Sequence, residues 1–166
     1  MSHRPRAAAA SVVVPLPAED AWELVTDVRN HVRWIPWTRM HVGGKLRVGD
    51  IFTAASGPAW LPGGGLLDRM VVEQLDPPST TTALPGVAVF TKLGPVLLGS
   101  AEMHVRPHGT NACTVTWLET VHLRGLPPAM TAPPLRPVLR AMTRLALRRV
   151  AAEVESGPPR TPQRPF

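Results

Sequence analysis

The 166-residue sequence predicts an α+β fold, an antiparallel sheet with one long C-terminal helix laid across it. Three observations carry that expectation. Cys113 to Leu123 alternates, with Cys113, Val115, Trp117, Glu119, Val121 and Leu123 on one face and Thr114, Thr116, Leu118, Thr120 and His122 on the other. Turn residues separate several further β-rich runs. From Leu135 to about Glu155, apolar residues and arginines take opposite sides of a helical projection.

The elements follow in order. Ala7 to Val14 ends in a β-branched run and reads as the first strand. Pro15 and Pro17 stop it. Ala18 to Val28 reads as a short helix, since Glu19 and Asp20 suit a helix N-terminus and Ala21, Trp22, Val25 and Val28 share one face. A second short turn runs from His31 to Trp37, ended by Pro36. Its Trp34 and Trp37 read as packing anchors.

Strands are then expected at Thr38–Val42, Asp50–Ala55 and Leu67–Leu75. Thr80–Leu84 and Val87–Lys92 make another, broken by Pro85-Gly86. Val96–Arg106 follows, with Glu102, His104 and Arg106 opposite Met103 and Val105 in its second half. Pro107 to Asn111 is a hairpin turn. The Gly/Pro-rich stretch from Gly57 to Gly65 lacks the Gly-Lys-Ser/Thr of a phosphate loop. It holds Trp60 and Leu61, and so reads as a flap packing over a cavity or sheet edge.

Gly125 to Pro134 reads as a Pro-rich connection, with the helix beginning at Leu135 and Pro137 either kinking it or marking its start. Val138, Leu139, Met142, Leu145, Ala146 and Val150 form its apolar stripe; Arg136, Arg140, Arg144 and Arg148 form the opposite one. Residues 1–156 are expected to be one domain, and 157–166 a Pro-rich disordered tail.

An apolar content of 44% against 18% charged residues excludes a disordered chain. No apolar run is long enough for a transmembrane helix. The run Ala7–Val14 is read as a strand rather than a secretory signal. One cysteine, Cys113, excludes an internal disulfide and agrees with a reducing cytoplasm. The net charge is +6, and 16 of the 18 basic residues are Arg. The bland reading is a solvated helix face and a basic tail. The sharper one is an interaction module whose Arg stripe docks an acidic partner or anionic membrane. No aromatic residues interleave these arginines and no helix-turn-helix or zinc-finger pattern accompanies them, so nucleic acid is not expected.

Several short motifs fall in a recognisable order. A β-branched strand leads to Pro17-Ala18, Trp22 and Asp27, then Trp34-Ile35-Pro36 and Gly49-Asp50. Asp68-Arg69-Met70-Val71-Val72 leads to Asp76-Pro77-Pro78, and Val115-Thr116-Trp117-Leu118-Glu119 closes the sheet before the long helix. From Ala7 to Glu155 this order resembles the START-like helix-grip (SRPBCC) superfamily, in its polyketide cyclase/dehydrase branch. The resemblance implies a curved antiparallel sheet of about seven strands, two short helices after the first strand, and a long C-terminal helix over an apolar cavity. It implies a small hydrophobic ligand, lipid- or polyketide-like. Some members catalyse cyclisation or dehydration, but the family has no universal catalytic set. The chain has no Tyr, so a phenolic donor is missing from the pocket it implies.

Two carboxylates are the tentative catalytic candidates. Alternation puts Glu119 beside Val115, Trp117 and Val121, where burial raises a carboxyl pKa and fits it for acid/base work. Its bland reading is a structural carboxylate paired with Arg, or a solvated rim residue. Asp68 faces inward if Met70 and Val72 do; its bland reading is a turn cap. The candidate ligand wall comprises Trp34, Met70, Phe90, Met103, Trp117, Glu119, Met130, Leu135, Leu139 and Met142. Several Met side chains make such a wall adaptable. The six histidines show no metal-ligand spacing, so no metal or other cofactor is expected. Cys113 reads as a small buried hydrophobe. Without a Gly-x-Ser-x-Gly elbow at Ser56 or Ser100, a hydrolase triad is disfavoured.

Overall fold

The computed structural model describes residues 7–57 and 65–157. The expected flap residues Trp60 and Leu61, and the tail beyond Gly157, lie outside the described residues.

The chain begins with strand β1 (Ala8–Val14), helix α1 (Ala18–Thr26), a 3-10 turn (Val28–Asn30) and the one-turn helix α2 (His31–Trp34). Strands β2 (Thr38–His41), β3 (Ile51–Ser56), β4 (Leu66–Asp76), β5 (Gly86–Pro95), β6 (Leu97–Pro107) and β7 (Cys113–Leu123) follow, and helix α3 (Pro128–Glu155) ends the fold. The strands form one antiparallel sheet in the order β1-β7-β6-β5-β4-β3-β2. Consecutive strands pair as neighbours from β2 to β7, and β1 returns to close against β7. This is the helix-grip arrangement.

Alternation decides which face is covered. Ala88, Phe90 and Lys92 on β5, Ala101, Met103 and Val105 on β6, and Cys113, Val115, Trp117, Glu119 and Val121 on β7 are all buried. The β4–β5 register shifts between Arg69 and Met70 and again between Val72 and Gln74. Such bulges bend a strand pair and re-aim its side chains. Both lie beside the inward run Asp68, Met70 and Val72.

Two elements depart from expectation. Thr80 to Leu84 is not a strand: Ser79 and Leu84 form one isolated bridge and Ala83 takes φ +54°. The Glu19 carboxylate accepts hydrogen bonds from the Thr80 N–H and hydroxyl, both at 2.8 Å, which holds the turn. Helix α3 begins at Pro128, seven positions before the expected Leu135. Pro128 occupies the first turn, where N–H groups have no helical partner. Pro133, Pro134 and Pro137 lie inside the helix and each removes one main-chain donor.

The face that α3 buries is also rotated from the expected stripe. Ala146 and Val150 are buried as expected, but their companions are Thr143 and Leu147. Val138 is 66% exposed and Leu145 39%. The C-terminal half of α3 packs on β1, β7 and α2, which sets its rotation. No residue from 133 to 142 is fully buried, so this part of α3 bridges open space. Among the described residues, no helix is long and apolar enough to cross a membrane.

Candidate functional site

A cavity of about 260 Å³ lies between the sheet and the N-terminal half of α3. Its sheet wall carries Phe52, Met70, Phe90, Met103 and Trp117; its helix wall carries Leu135, Val138, Leu139 and Met142. Phe52 and Phe90 meet edge to face, with ring centroids 5.6 Å apart. His31, Val28 and Ile35 close one side.

One polar cluster interrupts this apolar lining. Asp68 on β4, Lys92 on β5 and Glu119 on β7 all line the cavity. They are 9%, 6% and 4% exposed. Lys92 Nζ donates to Asp68 Oδ2 at 2.5 Å and stands 3.5 Å from Glu119 Oε2. The Trp117 indole N–H donates to Glu119 Oε1 at 3.1 Å. Asp68 Oδ1 and Glu119 Oε2 are buried without a hydrogen-bond partner.

Asp68 lies on β4, the strand beside Lys92, and Lys92 reaches Glu119 across β6 because that strand offers no bulk between them. In register, Lys92 pairs with Gly99 and Phe90 with Ala101, while Gly99 pairs with Val121 and Ala101 with Glu119. Gly99 has φ +123°, and a Cβ there would fall 1.9 Å from the Thr120 carbonyl oxygen. Only glycine fits.

Burial acts on Glu119 and Lys92 in opposite ways. Burial holds the Glu119 carboxyl above the ordinary carboxylate range, reinforced by Asp68 and opposed by Lys92. Burial alone would lower the Lys92 ammonium, but Glu119 and Asp68 together raise it. Lys92 therefore stays cationic, while burial favours the protonated form of Glu119.

Nine of the eleven expected site residues come together here: Asp68, Met70, Phe90, Met103, Trp117, Glu119, Leu135, Leu139 and Met142. Two do not. Trp34 is buried outside the cavity lining, where its indole N–H donates to Glu153 on α3 at 2.8 Å. Arg33 reaches the same carboxylate at 2.6 Å, so the pair clamps α2 to α3. Met130 is 70% exposed, on the first turn of α3 away from the cavity lining.

Lys92 and His31 were not among the expected site residues. Lys92 closes an inward alternation, Ala88-Phe90-Lys92, that could have revealed it. His31 is buried against Trp117, with ring centroids 5.1 Å apart. Its Nε2 lies 2.9 Å from the Val25 carbonyl oxygen, so the neutral ring donates there and keeps Nδ1 as an acceptor. Burial lowers its pKa to about 4. Cys113 is buried outside the cavity lining, its thiol pushed up to about 11 by burial.

A curved sheet gripping a long helix, with a mixed apolar and ionisable cavity between them, defines a START-like helix-grip protein. The chain belongs to the polyketide cyclase/dehydrase and lipid transport family, whose family model matches residues 6–155. Solved structures share the fold. A protein from Deinococcus radiodurans is 17% identical, with a TM-score of 0.61 over 92% of this chain and 99% of its own. The aromatase/cyclase ZhuI from Streptomyces sp. R1128 is 15% identical, with a TM-score of 0.60 over 90% and 93%. The di-domain ARO/CYC BexL of the BE-7585A biosynthetic pathway is 21% identical, with a TM-score of 0.60 over 92% of this chain. The chain spans 48% of BexL, about half its length. No curated protein matches the chain.

Proposed function

We propose that the chain binds a small hydrophobic ligand, lipid- or polyketide-like, in the cavity beneath α3. The observation that carries this reading is the Asp68–Lys92–Glu119 cluster in an otherwise apolar wall. Burying three ionisable groups costs several kcal/mol of desolvation that their mutual attraction only partly offsets. An apolar core of the same volume would be as stable or more so. A cluster kept beside open space, with two oxygens lacking a hydrogen bond, suits the orientation of a ligand's polar group, while desolvation of its apolar body drives binding.

An enzymatic role extends this reading. Glu119, helped by Asp68, would transfer protons in an aldol-type cyclisation and dehydration of a polyketide-like substrate. Lys92 would stabilise negative charge developing on a substrate oxygen. A reducing cytoplasm suits the lone thiol of Cys113.

The binding test is titration with N-phenyl-1-naphthylamine, a neutral probe whose emission rises in apolar surroundings. We expect saturable binding by the purified protein and its loss in Leu139→Trp, which fills the space beneath α3. Binding unchanged in a folded Leu139→Trp protein would contradict this site. For the enzymatic role, turnover of a confirmed substrate should fall at least about a hundredfold in Glu119→Gln; unchanged turnover removes Glu119 from the mechanism.

A further inference from the structure

The oxygens lacking a hydrogen bond specify more than a polar contact. Asp68 Oδ1 and Glu119 Oε2 are both buried without a hydrogen-bond partner, Glu119 Oε2 having only the longer ion pair to Lys92. The nearest donors are the Lys92 ammonium and the Trp117 indole. Lys92 Nζ donates to Asp68 Oδ2 at 2.5 Å and lies 3.9 Å from Met70 Sδ, leaving Glu119 Oε2 at 3.5 Å. The Trp117 N–H is used by Glu119 Oε1. Of the other polar side chains in the lining, the Thr38 and Ser56 hydroxyls bond each other at 3.1 Å, and His31 Nε2 bonds the Val25 carbonyl oxygen. The cluster therefore has two carboxyl groups for one ammonium, and more acceptors than donors.

We propose that the cavity selects its ligand through a hydrogen-bond donor carried by that ligand, a hydroxyl or a protonated amine, placed at Asp68 Oδ1 and Glu119 Oε2, and that it discriminates against carboxylates. The inference rests on the reading that this cavity binds a small apolar molecule. A ligand donor satisfies oxygens whose desolvation is otherwise uncompensated. A hydroxyl suits either form of Glu119, since it both donates and accepts. An ammonium supplies the missing positive charge and lets Glu119 ionise. A ligand carboxylate would bring a third acidic group to one lysine.

Four probes sharing one ring system separate these outcomes: 2-naphthol, 2-naphthylmethylamine, 2-naphthoate and 2-methylnaphthalene. Binding is read by calorimetry at neutral pH in raised salt, which screens the net positive charge of the chain. We expect the naphthol and the amine to bind at least about tenfold more tightly than the carboxylate and the hydrocarbon. In a folded Asp68→Asn/Glu119→Gln protein, which leaves the Lys92 ammonium without a carboxylate partner, the discrimination against the carboxylate should be lost. The wild-type series decides the question even if that variant does not fold. Carboxylate binding as tight as the naphthol would overturn the donor rule while leaving the cavity reading intact. Failure of all four probes to bind would overturn both.

Discussion

Lys92 on β5 lies 3.5 Å from Glu119 on β7, across a strand that places only Gly99 and Ala101 between them. The pairing is thus built by the backbone of β6 as much as by the two charges. A larger side chain on that strand would occupy the path of the lysine.

Removing the cation should expose what the cluster costs. Lys92→Met leaves two buried carboxyl groups unpaired, so its unfolding free energy at neutral pH should drop by about 3–5 kcal/mol. The loss should narrow as pH falls and Glu119 protonates. Adding Asp68→Asn and Glu119→Gln should recover most of it. Urea unfolding of the single and triple variants checks this; a Lys92→Met protein as stable as wild type would show that the cluster is not buried as described.

Gly99 tests the backbone part. Its φ of +123° and the 1.9 Å approach of a Cβ to the Thr120 oxygen mean that Gly99→Ala must shift strand β6 or β7. A loss of about 2 kcal/mol or more is expected. Gly44→Ala, where a Cβ meets nothing within 4 Å, should stay within about 0.5 kcal/mol. Both values come from the same denaturation series.

His31 sets an acid limit. Its folded pKa of about 4 lies below its ordinary 6.5. Between those values the unfolded chain takes up a proton that the folded chain refuses. Stability is therefore full above pH 6.5 and falls as pH drops towards 4, by about 3 kcal/mol in all from this group. His31→Gln should flatten that segment of the stability–pH profile. A profile as steep in the variant as in wild type would assign the acid loss to other groups.

Much of this architecture was legible in the sequence, and the exceptions have physical causes. The alternation of Cys113–Leu123 placed Glu119 among inward residues, where it is found. Lys92 escaped notice because a lysine ending an apolar run reads as a strand reaching solvent. Its partners lie 24 and 27 positions away, and only the order β4-β5-β6-β7 brings them together. His31 sits at the junction of two short helical turns, where no periodicity assigns a face. The start of α3 was hidden by prolines, which argue against a helix locally but are accommodated over open space. The rotation of α3 followed from its packing on β1, β7 and α2, which periodicity alone does not encode.

Methionine methyl groups offer the most direct view of the cavity. Of the six methionines, Met40, Met70, Met103 and Met142 line it, whereas Met130 is exposed on the first turn of α3. With carbon-13 in the methionine methyls, titration with N-phenyl-1-naphthylamine should shift the resonances of those four residues and spare Met130. A shift at Met130 alone, or binding that leaves all four cavity methyls unmoved, would contradict ligand binding beneath α3.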